Sequence, residues 1–319
     1  MLSTPFSELF EIEAPILQAA IWPATSPELV AAVSQAGALG TIAGIFSSAD
    51  GLTAQIERVR TLTTRPFVVN HVVTVLDEDA FQATLDARPA GVSFALGDPG
   101  SLVERAHAAG VKVIHQVHTV GQAREAAALG VDVVIAQGSE AGGQGMAGGV
   151  GAMALVPQVV DAVAPVPVLA AGGVADGRGL AAALVLGAAG ANVGTRFLAS
   201  EEASSDESWK NRILEIEADD TVRFETWSSI MGPAGAGGYD VVPRVIRTDF
   251  VREWESRPAE AAADAERLRA EIMNALRDGR THEVVAFTGQ TAGLISDLPP
   301  AAKIVKDLVA GAERALELG

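Results

Sequence analysis

The chain has 319 residues, 49% of them hydrophobic, a formal charge of −17 and no cysteine. That charge argues against binding nucleic acid or an anionic membrane by general electrostatics. The lack of cysteine excludes disulfides, thiolate catalysis and cysteine-ligated metals.

The first residues, Met1 to Glu8, carry no basic region followed by an apolar one. No run of about 18 uncharged apolar residues reads as a membrane span. The expected setting is cytoplasmic and the expected partner a small molecule; a homo-oligomer is left open.

Short β-rich runs alternate with helical patterns. The runs at 15–19, 39–43, 67–73, 91–95, 112–117, 131–137, 166–171 and 191–197 read as strands. Ser26 and Pro27 open a helix as cap and first turn, and Gly37 closes it. Helical patterns at 100–109, 120–129 and 176–186 close at Gly110, Gly130 and Gly187. Strand, loop, helix and glycine repeat, so the strands should pair in parallel.

A count of eight strands favours an α/β fold of the (β/α)8 TIM-barrel type. The rival is an open, doubly wound sheet with a dinucleotide site. Its glycine fingerprint should follow the first strand, which instead leads into Gln18-Ala19-Ala20-Ile21. The match from Gly143 to Gly148 lies several residues past its strand and reads as chance.

Residues 200–260 break the rhythm with Glu201, Glu202, a serine-rich stretch at 204–208, glycines at 235–238 and three of the four tryptophans. They predict an inserted subdomain or lid. Strongly helical stretches follow at 259–277 and 299–318. The expected organisation is a barrel over 1–199, an inserted subdomain over 200–280 and a segment over 281–319 that returns to the barrel.

In such a barrel, function sits at the C-terminal strand ends. That rule selects Gln18, Asn70, His71, Gln116, His118, Gln137, Gly142, Gly143, Gln144, Gly172, Gly173, Gly194 and Thr195. Three successive strands end in glycine and small polar residues. This suggests one cradle for a phosphorylated ligand, built from backbone N–H groups and a hydroxyl. The amides both donate and accept, as the edge of a flat heterocycle requires. Metal binding looks poor, because His71, His115 and His118 lack any ligand spacing. His115 reads as structural, Asp176 as a helix cap and Glu140 as a loop carboxylate.

The motifs Pro15-Ile16-Leu17-Gln18-Ala19, Val131 through Gly143, Pro167 through Arg178, Gly194-Thr195-Arg196-Phe197 and Gly289 through Ile295 together resemble the nitronate monooxygenase family, formerly the 2-nitropropane dioxygenases. The resemblance covers nearly the whole chain. It implies an FMN-binding barrel with an inserted substrate domain, and oxidation of alkyl nitronates with molecular oxygen. It puts flavin contacts on Asn70, Gln137, Gly142, Gly173, Gly194 and Thr195, with Gln18 and Gly172 nearby. Gln116 and Gly143 join the cofactor set from their rim positions.

One position departs from the family pattern. The histidine that usually follows the paired glycines, and acts as base toward neutral nitroalkanes, is replaced by Gln144. An amide has no useful basicity, though it can hydrogen-bond a nitro or carbonyl oxygen. Gln144, His71 and His118 are the catalytic candidates. Two other functions stay open: an NAD(P)H-dependent flavin reductase acting on a quinone or an enoyl thioester, and a non-catalytic flavin-binding barrel.

Overall fold

The structure is a computed structural model and describes residues 2–232 and 241–317. The glycines at 235–238 and the last residue of the predicted 299–318 helix lie outside the described residues.

Eight parallel strands are present: β1 (Ile16–Gln18), β2 (Gly40–Ala43), β3 (Phe67–Val72), β4 (Gly91–Ala95), β5 (Lys112–Val117), β6 (Val133–Gln137), β7 (Val168–Ala171) and β8 (Gly190–Val193). From β2 to β8 each strand pairs with its sequence neighbours, and β8 pairs with β1. Leu17 bridges Leu39 in parallel, with Gln18 N donating to Leu39 O at 2.9 Å. This closes the sheet into a (β/α)8 barrel and removes the open-sheet alternative. At the same seam the Gln18 side chain accepts from Thr41 N at 3.0 Å.

The N-terminal helix α1 (Pro5–Phe10) is an element that the strand rhythm does not predict. It presses Phe6 and Phe10 against Leu17, Val68, Ile114 and Leu169, closing the base of the barrel with apolar side chains. The connecting helices are α2 (Pro27–Gln35), α3 (Ala49–Leu62), α4 (Glu78–Ala87), α5 (Leu102–Ala108), α6 (Val120–Ala128), α7 (Ala152–Val163) and α8 (Gly177–Val185). Ser26 caps α2 as expected, accepting from Leu29 N at 3.0 Å.

Two local expectations are corrected. The eighth strand stops at Val193, and the predicted strand over 191–197 turns into the short helix α9 (Thr195–Leu198). Phe197 N and Leu198 N donate to Gly194 O and start the turn, and Arg196 braces it. Its guanidinium turns back to the Ala199 carbonyl at 2.8 Å and the Asp297 carboxylate at 3.0 Å. Beyond β8 come α10 (Glu207–Glu215), a ribbon of β9 (Thr221–Arg223) and β10 (Arg244–Ile246), α11 (Trp227–Met231), α12 (Asp249–Trp254), α13 (Pro258–Ala263) and α14 (Ala265–Arg277). The single helix predicted over 259–277 is therefore two, divided at Asp264, whose backbone leaves the helical region.

The elements after β8 share an apolar core that includes Phe224, Trp227, Val251, Trp254, Leu268 and Ile272. The last helix, α15 (Ala301–Glu317), packs on the outside of the barrel between α8 and α2. Its approach to α8 is set by glycine: a side-chain carbon on Gly177 would lie 2.3 Å from the Gly311 carbonyl carbon. Among the described residues no helix is long and apolar enough to cross a membrane.

Candidate active site

A cavity of about 270 Å³ opens at the C-terminal ends of the strands. It is lined by Gln18, Asn70, Gln116, Gln137 and Gln144, and by Gly142, Gly143, Gly172, Gly173, Gly194 and Thr195. Eleven of the thirteen rim residues singled out in the sequence thus meet around one space. A parallel barrel makes this inevitable, because all eight strands point the same way and their loops converge on one end.

The glycines do different work. Gly172 and Gly173 sit at φ 93° and 79°, where a side chain would be strained. Gly142 permits a close approach: a side-chain carbon there would lie 2.4 Å from Gly289 N. Gly289 N donates to Thr195 Oγ1 at 3.0 Å, and Gln290 N donates to Glu140 O at 3.0 Å. The loop after β6, the turn after β8 and the 289–294 segment are stitched together at this point. Among the described residues no backbone carbonyl accepts from the N–H of Gly173, Gly194 or Thr195.

The amides are fixed unequally. Asn70 Nδ2 donates to Ser93 O at 3.2 Å. Gln137 Nε2 donates to the backbone carbonyl of Gln144 at 3.0 Å, which sets the path of the loop. Two buried polar atoms on the cavity have no hydrogen-bond partner, Thr41 Oγ1 and Asn192 Oδ1. Asn192 belongs to the polar end of the eighth strand that the sequence reads as part of the cradle, whereas only the in-or-out alternation along β2 could have marked Thr41. The mouth is apolar. Trp22 and Phe46 meet edge to face there, with ring centroids 5.2 Å apart. Phe46 is 66% exposed and held at φ 59°, an uncommon setting for a bulky residue.

Among the described residues no Asp, Glu, Lys, Arg or His lines the cavity. Glu140 is turned away, both of its carboxylate oxygens accepting from Ala152 N at 2.9 Å at the start of α7. Asp176 caps α8. His71 Nε2 pairs with Thr84 Oγ1 at 2.8 Å, behind β3. His118 does not line the cavity but borders a small neighbouring chamber, which shares Gln137, Ala141 and Gly143 with the cavity. His115 Nδ1 meets the Phe94 carbonyl at 3.2 Å, the structural role expected of it.

Burial pushes the pKa of His71, His115 and His118 down to about 4, so the folded protein holds all three neutral. In the unfolded chain they titrate near the ordinary value of about 6.5. As pH falls below that value the unfolded chain takes up protons that the folded chain refuses. Their contribution to stability is therefore complete above about pH 6.5 and is lost as pH falls toward about 4. Thermal melts should show the midpoint falling between about pH 6.5 and pH 5, before most carboxylates titrate. A midpoint unchanged across that window would contradict the burial of neutral imidazoles.

Comparison with known proteins agrees with this architecture. The nitronate monooxygenase family model matches residues 3–80 and 71–311. A (3aS,4S,5R,7aS)-5-hydroxy-7a-methyl-1-oxo-octahydro-1H-indene-4-carboxyl-CoA dehydrogenase of Mycobacterium tuberculosis is 33% identical, over 97% of this chain and 95% of its own. A probable nitronate monooxygenase of Staphylococcus saprophyticus is 35% identical, over 69% of this chain and 75% of its own. The solved structure of FabK from Thermotoga maritima matches with a TM-score of 0.90 at 34% identity, covering 99% of this chain and 98% of that one. With its closed barrel and converging glycine loops, the chain belongs to the nitronate monooxygenase family and is an oxidoreductase enzyme.

Proposed function

We propose that this enzyme uses FMN and exchanges electrons with a substrate that needs no ionisable group from the protein. The observation that carries this reading is a rim cavity lined by amides, glycines and a hydroxyl, with no titratable side chain among the described residues. The N–H groups of Gly173, Gly194 and Thr195 suit one terminal phosphate. Asn70, Gln116, Gln137 and the unpartnered Asn192 and Thr41 suit the polar edge of a flat ring. Gln18, Gly142, Gly143 and Gly172 complete the proposed flavin site. When bound, FMN supplies the electron exchange, and the protein supplies binding, orientation and a dry, uncharged surrounding.

The lid reading of residues 200–280 belongs to this proposal. Trp227 and Met231 of α11 and Ile272, Met273 and Leu276 of α14 roof the cavity. They would exclude water from the reacting atoms and hold the apolar part of a substrate. Gln144 can donate to a nitro or carbonyl oxygen but cannot accept a proton in its place.

Two substrate classes fit. An alkyl nitronate is already deprotonated, so its oxidation with molecular oxygen needs no base; the lack of a base among the described lining residues favours this reading. An acyl thioester is favoured by the apolar roof and by the Mycobacterium tuberculosis relative, which spans 97% of this chain and is named a carboxyl-CoA dehydrogenase. Anaerobic mixing separates them: bleaching of the flavin by a preformed nitronate supports the first, and bleaching by NAD(P)H or an acyl-CoA supports the second. Heat-released cofactor should run as FMN. Cofactor that runs as FAD, or a colourless protein that takes up no FMN, would overturn the proposal.

A further inference from the structure

The ribbon of β9 and β10 sets Arg223 directly opposite Arg244. Residues facing each other in an antiparallel pair project from one side of the ribbon, where like charges repel. Both arginines are half-buried, and among the described residues neither has a carboxylate within ion-pair distance. Arg223 donates to the Met146 carbonyl. Arg244 donates to the Ser139 carbonyl at 2.9 Å and the Thr221 carbonyl at 3.0 Å. The other arginines that are not fully exposed, at 105, 196, 212, 247 and 257, each pair with a carboxylate. Glu140 attracts Arg244 from farther off, but its oxygens are engaged with Ala152 N.

Both arginines border a small chamber of about 10 Å³, together with His118, Gln137, Gly143 and Gly145. His118 is 3% exposed; neither ring nitrogen makes a hydrogen bond of good geometry, although the Gln144 backbone lies close enough to favour the charged ring. Arg223 helps to keep that ring neutral, leaving one N–H to donate. A buried polar ring without a well-formed hydrogen bond is costly, and so are two facing cations with no carboxylate in ion-pair contact.

We propose that this chamber binds one monatomic anion of the halide class, held between Arg223, Arg244 and the His118 N–H. The volume is that of roughly one water-sized occupant, so a phosphate does not fit. A water molecule would satisfy the imidazole but would not offset the two guanidinium charges. The site lies apart from the cavity proposed for flavin, yet it shares Gln137 and Gly143 with it. Gln137 in turn holds the Gln144 carbonyl. An anion here would therefore stiffen the loop that carries Gln144.

The test uses the purified holoprotein at constant ionic strength, with sodium bromide replacing sodium gluconate. The melting midpoint should rise with bromide concentration by mass action. Arg223→Gln, shown to be folded by circular dichroism, should lose that rise. Crystals grown in bromide should show an anomalous peak in the chamber. A midpoint indifferent to bromide, a response kept in full by Arg223→Gln, or a chamber holding only water would each overturn the proposal.

Discussion

Gly194→Val should leave the fold intact and strip the protein of FMN, whereas Gly142→Val should cost both the cofactor and stability. At Gly194 the backbone φ is −106°, and a side-chain carbon would meet Ala19 and Ile21 at 3.6 and 3.7 Å, ordinary contact distances. The protein has room for the first side-chain carbon, which would occupy the backbone approach that the proposed phosphate needs. At Gly142 the same carbon would press within 2.4 Å of Gly289 N and 2.7 Å of the Thr288 carbonyl carbon, both backbone. Overpacking of this kind costs about 1–3 kcal/mol. The same penalty set against a bound phosphate weakens binding by roughly 5- to 150-fold. Flavin content after gel filtration reads the first effect and the melting midpoint the second. A folded Gly194→Val protein with full flavin content would move the phosphate away from the β8 turn.

The second large effect is expected at Gln144. If the nitronate reading holds, the natural enzyme should oxidise preformed nitronates far faster than fresh neutral nitroalkanes. No imidazole or carboxylate lines the cavity among the described residues, so nothing there can take the proton from carbon. Gln144→His supplies a group that titrates near working pH. A well-placed general base contributes about 10²–10⁴-fold. Activity on the neutral form should rise toward that range and acquire a pH dependence that the natural enzyme lacks. The gain will be smaller if the new ring finds no partner to orient it. Equal rates on both substrate forms in the natural enzyme would mean that a base acts from elsewhere, with His118 behind Gln137 the first to replace. No activity on either form would leave the acyl thioester reading in place.

Much of the barrel is legible in the chain. β4 and β5 fall on the predicted bounds, because each is a short β-prone run that begins just after the chain leaves a helix. The caps at Ser26 and Asp176 are equally plain, since the hydroxyl or carboxylate stands just before its helix. Less legible are the features that depend on a distant partner. The turn that ends the eighth strand is braced by Arg196, whose partner Asp297 lies 101 residues later in the chain. The N-terminal helix is stabilised by side chains from strands throughout the barrel, so its own six residues signal little.

The candidate site divides the same way. Sequence alone fixed the chemistry of the rim, because glycines and amides that follow parallel strands must converge at one end of a closed barrel. It also fixed the missing base, since Gln144 is a glutamine whatever its surroundings. The tertiary structure decided which polar groups share a space. It brought Thr41 and Asn192 to the cavity, turned His71 toward Thr84, and set His118 apart with two facing arginines. Strand position tells which end of the barrel a residue occupies. Only packing determines the side to which its ring turns, because that choice rests on partners from other strands and from the chain beyond β8.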